Sequence, residues 1–242
     1  YNGIDIFDIV NEKPFLEVKK ELKTAYQYHL KNKDFDKNID TLVNISFWRM
    51  FTPYFYNWFG DWFIKYKIEN NIDLNENEKS IFYNTYNNNY DNLNDNVSKV
   101  LTEQGVPKLV YHGSDYNFYE FKNLKYEHQL HHFGTFNSAF ERVYRLSSED
   151  LTSEDKINSI VDKHDKYVNQ YMVDSYDALA KVTIKPYFLS IKKLFKSTDK
   201  GVNRYKDHLP EDVDGYQYKN TVEDIGSVSY ATHKPDKIKS AI

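Results

Sequence analysis

The sequence predicts an α+β fold. Helical periodicity dominates the first third of the 242-residue chain, and short strand-like runs are scattered through the rest. No regular strand–helix–strand rhythm of a parallel sheet joins them. Two of those runs, VDGYQYKN (213–220) and VSYATH (228–233), flank EDIGS, which is a hairpin signature.

The elements follow in order. In KPFLEVKKELKTAYQYHLKN (13–32), Phe15, Leu16, Val18, Leu22, Ala25 and Leu30 fall near one helical face, with Lys and Glu opposite. Residues 38–50 carry Ile39, Leu42, Val43, Ile45 and Phe47 at helical spacing. TPYFYNWFGDWF (52–63) opens with a Thr-Pro helix-entry signal, and its dense aromatic stripe predicts a helix packed into the core.

The Asn-rich stretch 69–96 is weakly patterned and predicts an exposed insertion, with a short helix around Lys79–Tyr86. A strand is expected at Lys108–Tyr111. HHFGTFNSAFERVYRL (131–146) predicts a short strand, a glycine turn and a helix from about Ser138. Residues 147–181 are polar and read as a second, helical insertion, whereas VTIKPYFLSIKKLF (182–195) is strand-like. There is no internal repeat.

Composition bounds the function. A hydrophobic share of 40% with 28% charged residues supports a real core and excludes global disorder. The 22 Tyr and 16 Phe against 3 Trp, with abundant Asn and Lys, match an AT-rich coding sequence. A net charge of −4 gives no overall basic footprint for nucleic acid. The absence of Cys excludes disulfides, zinc-cysteine sites and a cysteine nucleophile. No apolar run reaches the roughly 20 residues of a membrane helix. YNGIDIFDIVNEK lacks the basic start and apolar core of a signal peptide. Tyr1 in place of Met fits a processed product or a piece of a longer chain.

GVPKLVYHGSDYNFYEF (105–121) is the least generic stretch. Its apolar run Leu109-Val110-Tyr111 is expected to end on His112-Gly113-Ser114, and aromatics resume at Tyr116, Phe118, Tyr119 and Phe121. A strand end of that kind can deliver an imidazole and a bare backbone turn to a cleft; it can equally be a capped strand end with a satisfied histidine. EHQLHH (127–132) suggests a metal site, but Glu127 precedes the first His, so the HExxH arrangement is absent and no metal is expected. No phosphate loop, Ser-His-Asp spacing or kinase motif set occurs.

Taken in order, several segments resemble one family. They are TPYFYNWFGDW (52–62), SKVLTEQGVPKLVYHGSDYNFYEF (98–121), HHFGTFNSA (131–139), KPYFLSIKKLFKSTDKG (185–201) and DGYQYKNTVEDIGSVSYATHKPDKIKSA (214–241). The order is similar to that of the ADP-ribosyltransferase domain of polyvalent proteins from phages and mobile elements. That domain belongs to the His-Tyr-Glu branch of diphtheria toxin and the poly(ADP-ribose) polymerases. The resemblance covers 52–242, interrupted by both insertions, and leaves 1–51 as an N-terminal helical segment.

What it implies is a split β-sandwich with flanking helices that bends NAD, its substrate, into a cleft. The nicotinamide–ribose bond breaks, and ADP-ribose passes to a host protein or nucleic acid; other virion proteins are further expected partners. The developing oxocarbenium ion calls for a nearby carboxylate, and nicotinamide calls for an aromatic face. Carried over, His112 is the family histidine and Gly113 the turn that reads the carboxamide, with Ser114 supporting it. His132 stands at the tyrosine position with Phe133 beside it, and strand alternation lets only one of them face the cleft. Phe140 and Tyr144 are candidates for a second stacking ring. Ser229 stands where the family carries its catalytic Glu, which leaves Glu223, with Asp224 behind it, as the nearest carboxylate. Lys237 stands where many relatives have Gln.

The resemblance thus implies a phage- or mobile-element-encoded mono-ADP-ribosyltransferase, acting in the virion or host cytoplasm. A non-catalytic structural or cargo module, or an NAD glycohydrolase, would carry the same segments.

Overall fold

The computed structural model describes residues 9–30, 38–114, 118, 120–122, 130–147, 183–199, 210 and 212–242. It is an α+β protein in which helices cover one sheet and that sheet packs on a second. The predicted helical insertion at 147–181 lies outside the described residues, apart from its first residue.

Helix α1 (Lys13–Leu30) and helix α2 (Ile39–Arg49) form where the apolar spacing predicts them. Phe15, Val18, Leu22, Val43 and Phe47 are buried, but Leu16 and Ile45 fall on the solvent side at 49% exposure each. Phe15 is the hub. Its ring centroid lies 5.0 Å from Tyr66 and 6.3–6.5 Å from Phe47, Phe51, Trp62 and Phe63. The N-terminal helices therefore share one core with residues 55–109 instead of standing apart.

Thr52 caps helix α3 (Pro53–Phe59), its hydroxyl accepting from the Phe55 amide at 3.3 Å with Pro53 in the first turn. Helix α4 (Trp62–Glu69) follows. The Asn-rich stretch read as an insertion with one short helix holds two, α5 (Glu76–Tyr86) and α6 (Tyr90–Asn96). Its asparagines are punctuation. Asn75 makes a reciprocal capping box with Glu78, Asn87 ends α5 in the left-handed region and Asn89 caps α6. Tyr86, Leu93 and Val97 anchor the stretch in the core.

Strand β1 (Val110–Ser114) ends on His112-Gly113-Ser114 as expected, but all three are paired strand residues, so Gly113 lies in the ladder with β3 and not in a turn. Strand β2 (His131–Phe133) leads through Gly134 into helix α7 (Phe136–Ser147), two residues earlier than expected because Thr135 accepts the Ser138 amide at 3.1 Å. Strands β3 (Thr183–Leu189) and β4 (Leu194–Lys196) divide the run that read as one strand. Strands β5 (Gly215–Lys219) and β6 (Val228–Thr232) form the expected hairpin, and β7 (Ile238–Ser240) follows a 3-10 turn.

One sheet has the order β1-β3-β7 and the other β2-β6-β5-β4, with β4 and β5 the parallel pair. Val110, Tyr187, Leu189 and Ile238 of the first sheet meet Phe133 and Tyr230 of the second in the core between them. The outer face of the first sheet, through Tyr111 and Ile184, packs on Ala25 of α1 and Ala139 and Val143 of α7. No described helix is long and apolar enough to cross a membrane.

Candidate functional site

Among the described residues the two sheets touch edge to edge at one rung. Tyr111 donates to the Gly134 carbonyl at 2.8 Å, and Gly134 donates back at 3.0 Å. Continued antiparallel pairing would set Gly113 against His132. Instead no strand ladder joins β1 to β2, and the gap beside His112 is bridged by a side chain: Nδ1 of His112 donates to the His132 carbonyl at 2.7 Å.

This geometry fixes where the Gly113 backbone points. Amide and carbonyl of a strand residue face one edge, and successive residues alternate. Tyr111 spends both groups on Gly134, and Pro186, which has no N–H, stands opposite it on β3. Two residues on, Gly113 turns its N–H and C=O toward the same edge, into the gap between β1 and β2. Its missing side chain answers a separate demand. A Cβ there would lie 2.4 Å from the Ala139 carbonyl and 2.4 Å from Val143, so α7 seats directly on the glycine.

His112 is enclosed by rings. Centroids of Phe121, Phe133 and Phe118 lie 5.1, 5.3 and 5.7 Å away, and Tyr187 is at 6.5 Å. Burial among them holds the imidazole pKa down at about 4, against the help of the His132 carbonyl. His112 is therefore neutral at pH 7 with its proton on Nδ1, which leaves Nε2 as an acceptor. Such an imidazole can receive a hydrogen bond from a sugar hydroxyl but holds no second proton to donate.

The neighbours of β2 separate as strand alternation requires. Phe133, 2% exposed, belongs to the core between the sheets, with its ring faces taken by His112, Phe121 and Tyr187. His132 points to the opposite face of its sheet, where Nδ1 lies 2.9 Å from the Tyr218 hydroxyl. The half-exposed ring of the pair is thus His132. Ser114 is buried in β1, and Phe140 is partly buried against the Tyr111–Val143 cluster. Tyr144 lies on α7, its side chain outside the described part.

Ser229 is 3% exposed and accepts from Asn220 Nδ2 at 2.8 Å. A Cβ on Gly134 would lie 2.6 Å from its hydroxyl and 2.0 Å from that of Ser138, so this corner is filled. Glu223 sits on the β5–β6 loop against α7, its carboxylate 3.5 Å from Arg142. The loop is pinned there through Asp224. The Asp224 amide donates to Glu141 at 2.7 Å, and its carboxylate accepts from the Thr135 hydroxyl. After burial, the positive charges of His131 and Arg142 also disfavour protonation of His112.

The structure therefore gathers His112, Gly113 and the His132 backbone at the gap, whereas Glu223 sits on the β5–β6 loop paired with Arg142 of α7. Phe133 and Ser229 are interior. Tyr218, Arg142 and Asn220 complete the surroundings and were not singled out in the sequence. Tyr218 could have been, since it shares a strand face with Tyr216 in GYQYK, on the hairpin leading to Ser229. Among the described residues no group of three or more His, Asp or Glu could hold a metal; Glu127 and His128 lie outside them. Comparison with known protein families, curated proteins and solved structures yields no match.

Proposed function

We propose that the chain is an NAD-cleaving mono-ADP-ribosyltransferase of the diphtheria-toxin and poly(ADP-ribose)-polymerase type, built as a split β-sandwich and encoded by a phage or mobile element. The observation that carries the reading is the separation of β1 from β2 beyond the Tyr111–Gly134 rung. It leaves an amide and a carbonyl of Gly113 side by side at the gap, next in the strand to His112, whose Nδ1 is spent on the His132 carbonyl. A donor and an acceptor at that spacing suit a primary carboxamide, and a neutral imidazole suits a ribose hydroxyl. His132 offers the stacking ring. Glu223 would face the positive charge that develops as the nicotinamide–ribose bond breaks and nicotinamide leaves with the bonding electrons. The host protein or nucleic acid acceptor then bonds to the sugar carbon and loses its proton.

A second reading, a non-catalytic structural or cargo module with the same fold, draws support from Ser229. The position of the family carboxylate holds a hydroxyl that is buried and tied to Asn220.

Incubation of the purified protein with labelled NAD and a bacterial lysate separates them. Acceptor labelling and nicotinamide release, both lost in His112→Ala and Glu223→Gln, are the expected result. A folded protein that does neither is the module.

A further inference from the structure

We propose that Lys192, Lys234 and Lys237 form a phosphate-binding site, flanked by the Tyr54–Trp58 pair, that takes single-stranded nucleic acid. It lies where β3 leaves its sheet and the 3-10 turn Pro235–Lys237 enters β7, at the opposite end of β3 from the residues paired with His112. The proposal is independent of the NAD reading.

Asp214 organises the cluster. One carboxylate oxygen accepts the Lys192 and Lys193 amides at 3.1 and 3.0 Å. The other lies 3.2 Å from the Lys234 ammonium and 3.6 Å from that of Lys237. Both oxygens are spent, and the Lys192 ammonium has no ion-pair partner among the described residues. The Lys192 amide shares Asp214 with the ammoniums of Lys234 and Lys237, and burial, with Lys237 second, lowers the Lys192 pKa. The remaining acids are committed or exposed. Asp61 accepts from the Tyr86 hydroxyl at 2.5 Å, and Asp236, 73% exposed at its side chain, lies 3.6 Å from Lys237. A cluster of lysines gathered on one saturated carboxylate is completed by an anion that supplies further acceptor oxygens.

The aromatic component adjoins it. Trp58 Nε1 donates to the Asp236 carbonyl at 2.7 Å, which fixes the indole to the lysine-bearing turn. Lys239 lies over both rings, 3.7 Å from the Tyr54 centroid and 4.4 Å from that of Trp58. Tyr54 is 74% exposed, so its ring is open to a ligand. Lysines at phosphate-binding depth beside an exposed ring are the two elements of single-strand recognition, backbone neutralisation and base stacking. A free anion would use the lysines and leave the ring idle, which is why the nucleic acid is the better occupant.

The test is fluorescence anisotropy of a labelled single-stranded oligonucleotide across a salt series. Variants are Lys192→Gln/Lys237→Gln, Tyr54→Ala, and Lys13→Gln/Lys79→Gln as a distant charge control; circular dichroism reports folding. Each phosphate neutralised on a single strand contributes about −0.7 to the slope of log affinity against log salt, so three lysines predict about −2. The lysine pair variant should weaken binding at least tenfold and flatten the slope toward about −0.7. Tyr54→Ala should weaken binding without changing the slope, and the control should match the native chain. No binding at low salt, equal loss in the control, or pyrophosphate binding without oligonucleotide binding overturns the proposal.

Discussion

The imidazole of His112 and the carbonyl of His132 are joined by a 2.7 Å hydrogen bond across the gap between the two sheets. A side chain performs the task that a backbone ladder would otherwise perform, while burial among aromatics keeps its ring neutral.

That neutrality has a pH signature. The pKa of His112 is lowered by burial to about 4, so the unfolded chain binds more protons than the folded one between about 4 and the ordinary value of 6.5. Stability from this group is complete above pH 6.5 and is lost as pH falls through that window, by about 3 kcal/mol at most. His131, also lowered by burial, acts in the same direction. Denaturant midpoints between pH 4 and 7 should fall more steeply for the native chain than for His112→Asn; parallel curves would remove His112 as the cause.

Gly113→Ala should unfold or strongly destabilise the protein, by more than about 3 kcal/mol, because the new methyl meets the Ala139 backbone at 2.4 Å. Thermal melting measures it. A stable Gly113→Ala chain would mean that α7 can move off β1.

Glu223→Gln separates chemistry from stability. The Arg142 pair is 3.5 Å long and half exposed on the arginine side, so its loss should change stability by less than about 1 kcal/mol. Nicotinamide release should fall at least about a hundredfold if Glu223 stabilises the sugar cation. A Glu223→Gln protein as active as the native chain would take the carboxylate role away from it.

Phe15→Ala should cost about 3–5 kcal/mol, since the ring is fully buried among five aromatic neighbours. A cost below about 1 kcal/mol, read from urea unfolding, would mark the N-terminal helices as an appendage.

Tyr216→Phe should leave stability unchanged or raise it by up to about 1 kcal/mol, because the buried Tyr216 hydroxyl has no hydrogen-bond partner among the described residues. A loss of several kcal/mol would reveal a partner for that hydroxyl.

The helices of the N-terminal third were legible because burial imposes a 3.6-residue spacing that Phe15, Val18 and Leu22 obey. Leu16 and Ile45 misled because an apolar side chain near the edge of a stripe can face water at small cost. The capping box of Asn75 and Glu78 was readable in principle, but it lay among so many asparagines that composition masked position. At the candidate site, His112 and Gly113 drew notice as a strand end and a turn, whereas both are paired residues of a strand whose far edge opens. That opening depends on Tyr111 pairing with Gly134, a contact between segments far apart in sequence that no local pattern encodes. Phe133 became interior because the pairing of β2 with β6 turns it, with Tyr230, toward the other sheet, whereas Ser229 lies on the opposite face and is buried by Asn220, Gly134 and Ser138.

The Tyr111–Gly134 rung has a mechanical consequence. A load pulling β1 away from β2 is resisted there by two backbone hydrogen bonds and the His112–His132 bond, whereas within each sheet it is spread over backbone ladders several residues long. The molecule is therefore stiff inside each sheet and compliant along the line between them, and the amides of Tyr111 and Gly134 are the gauge on which that compliance would be read by hydrogen exchange.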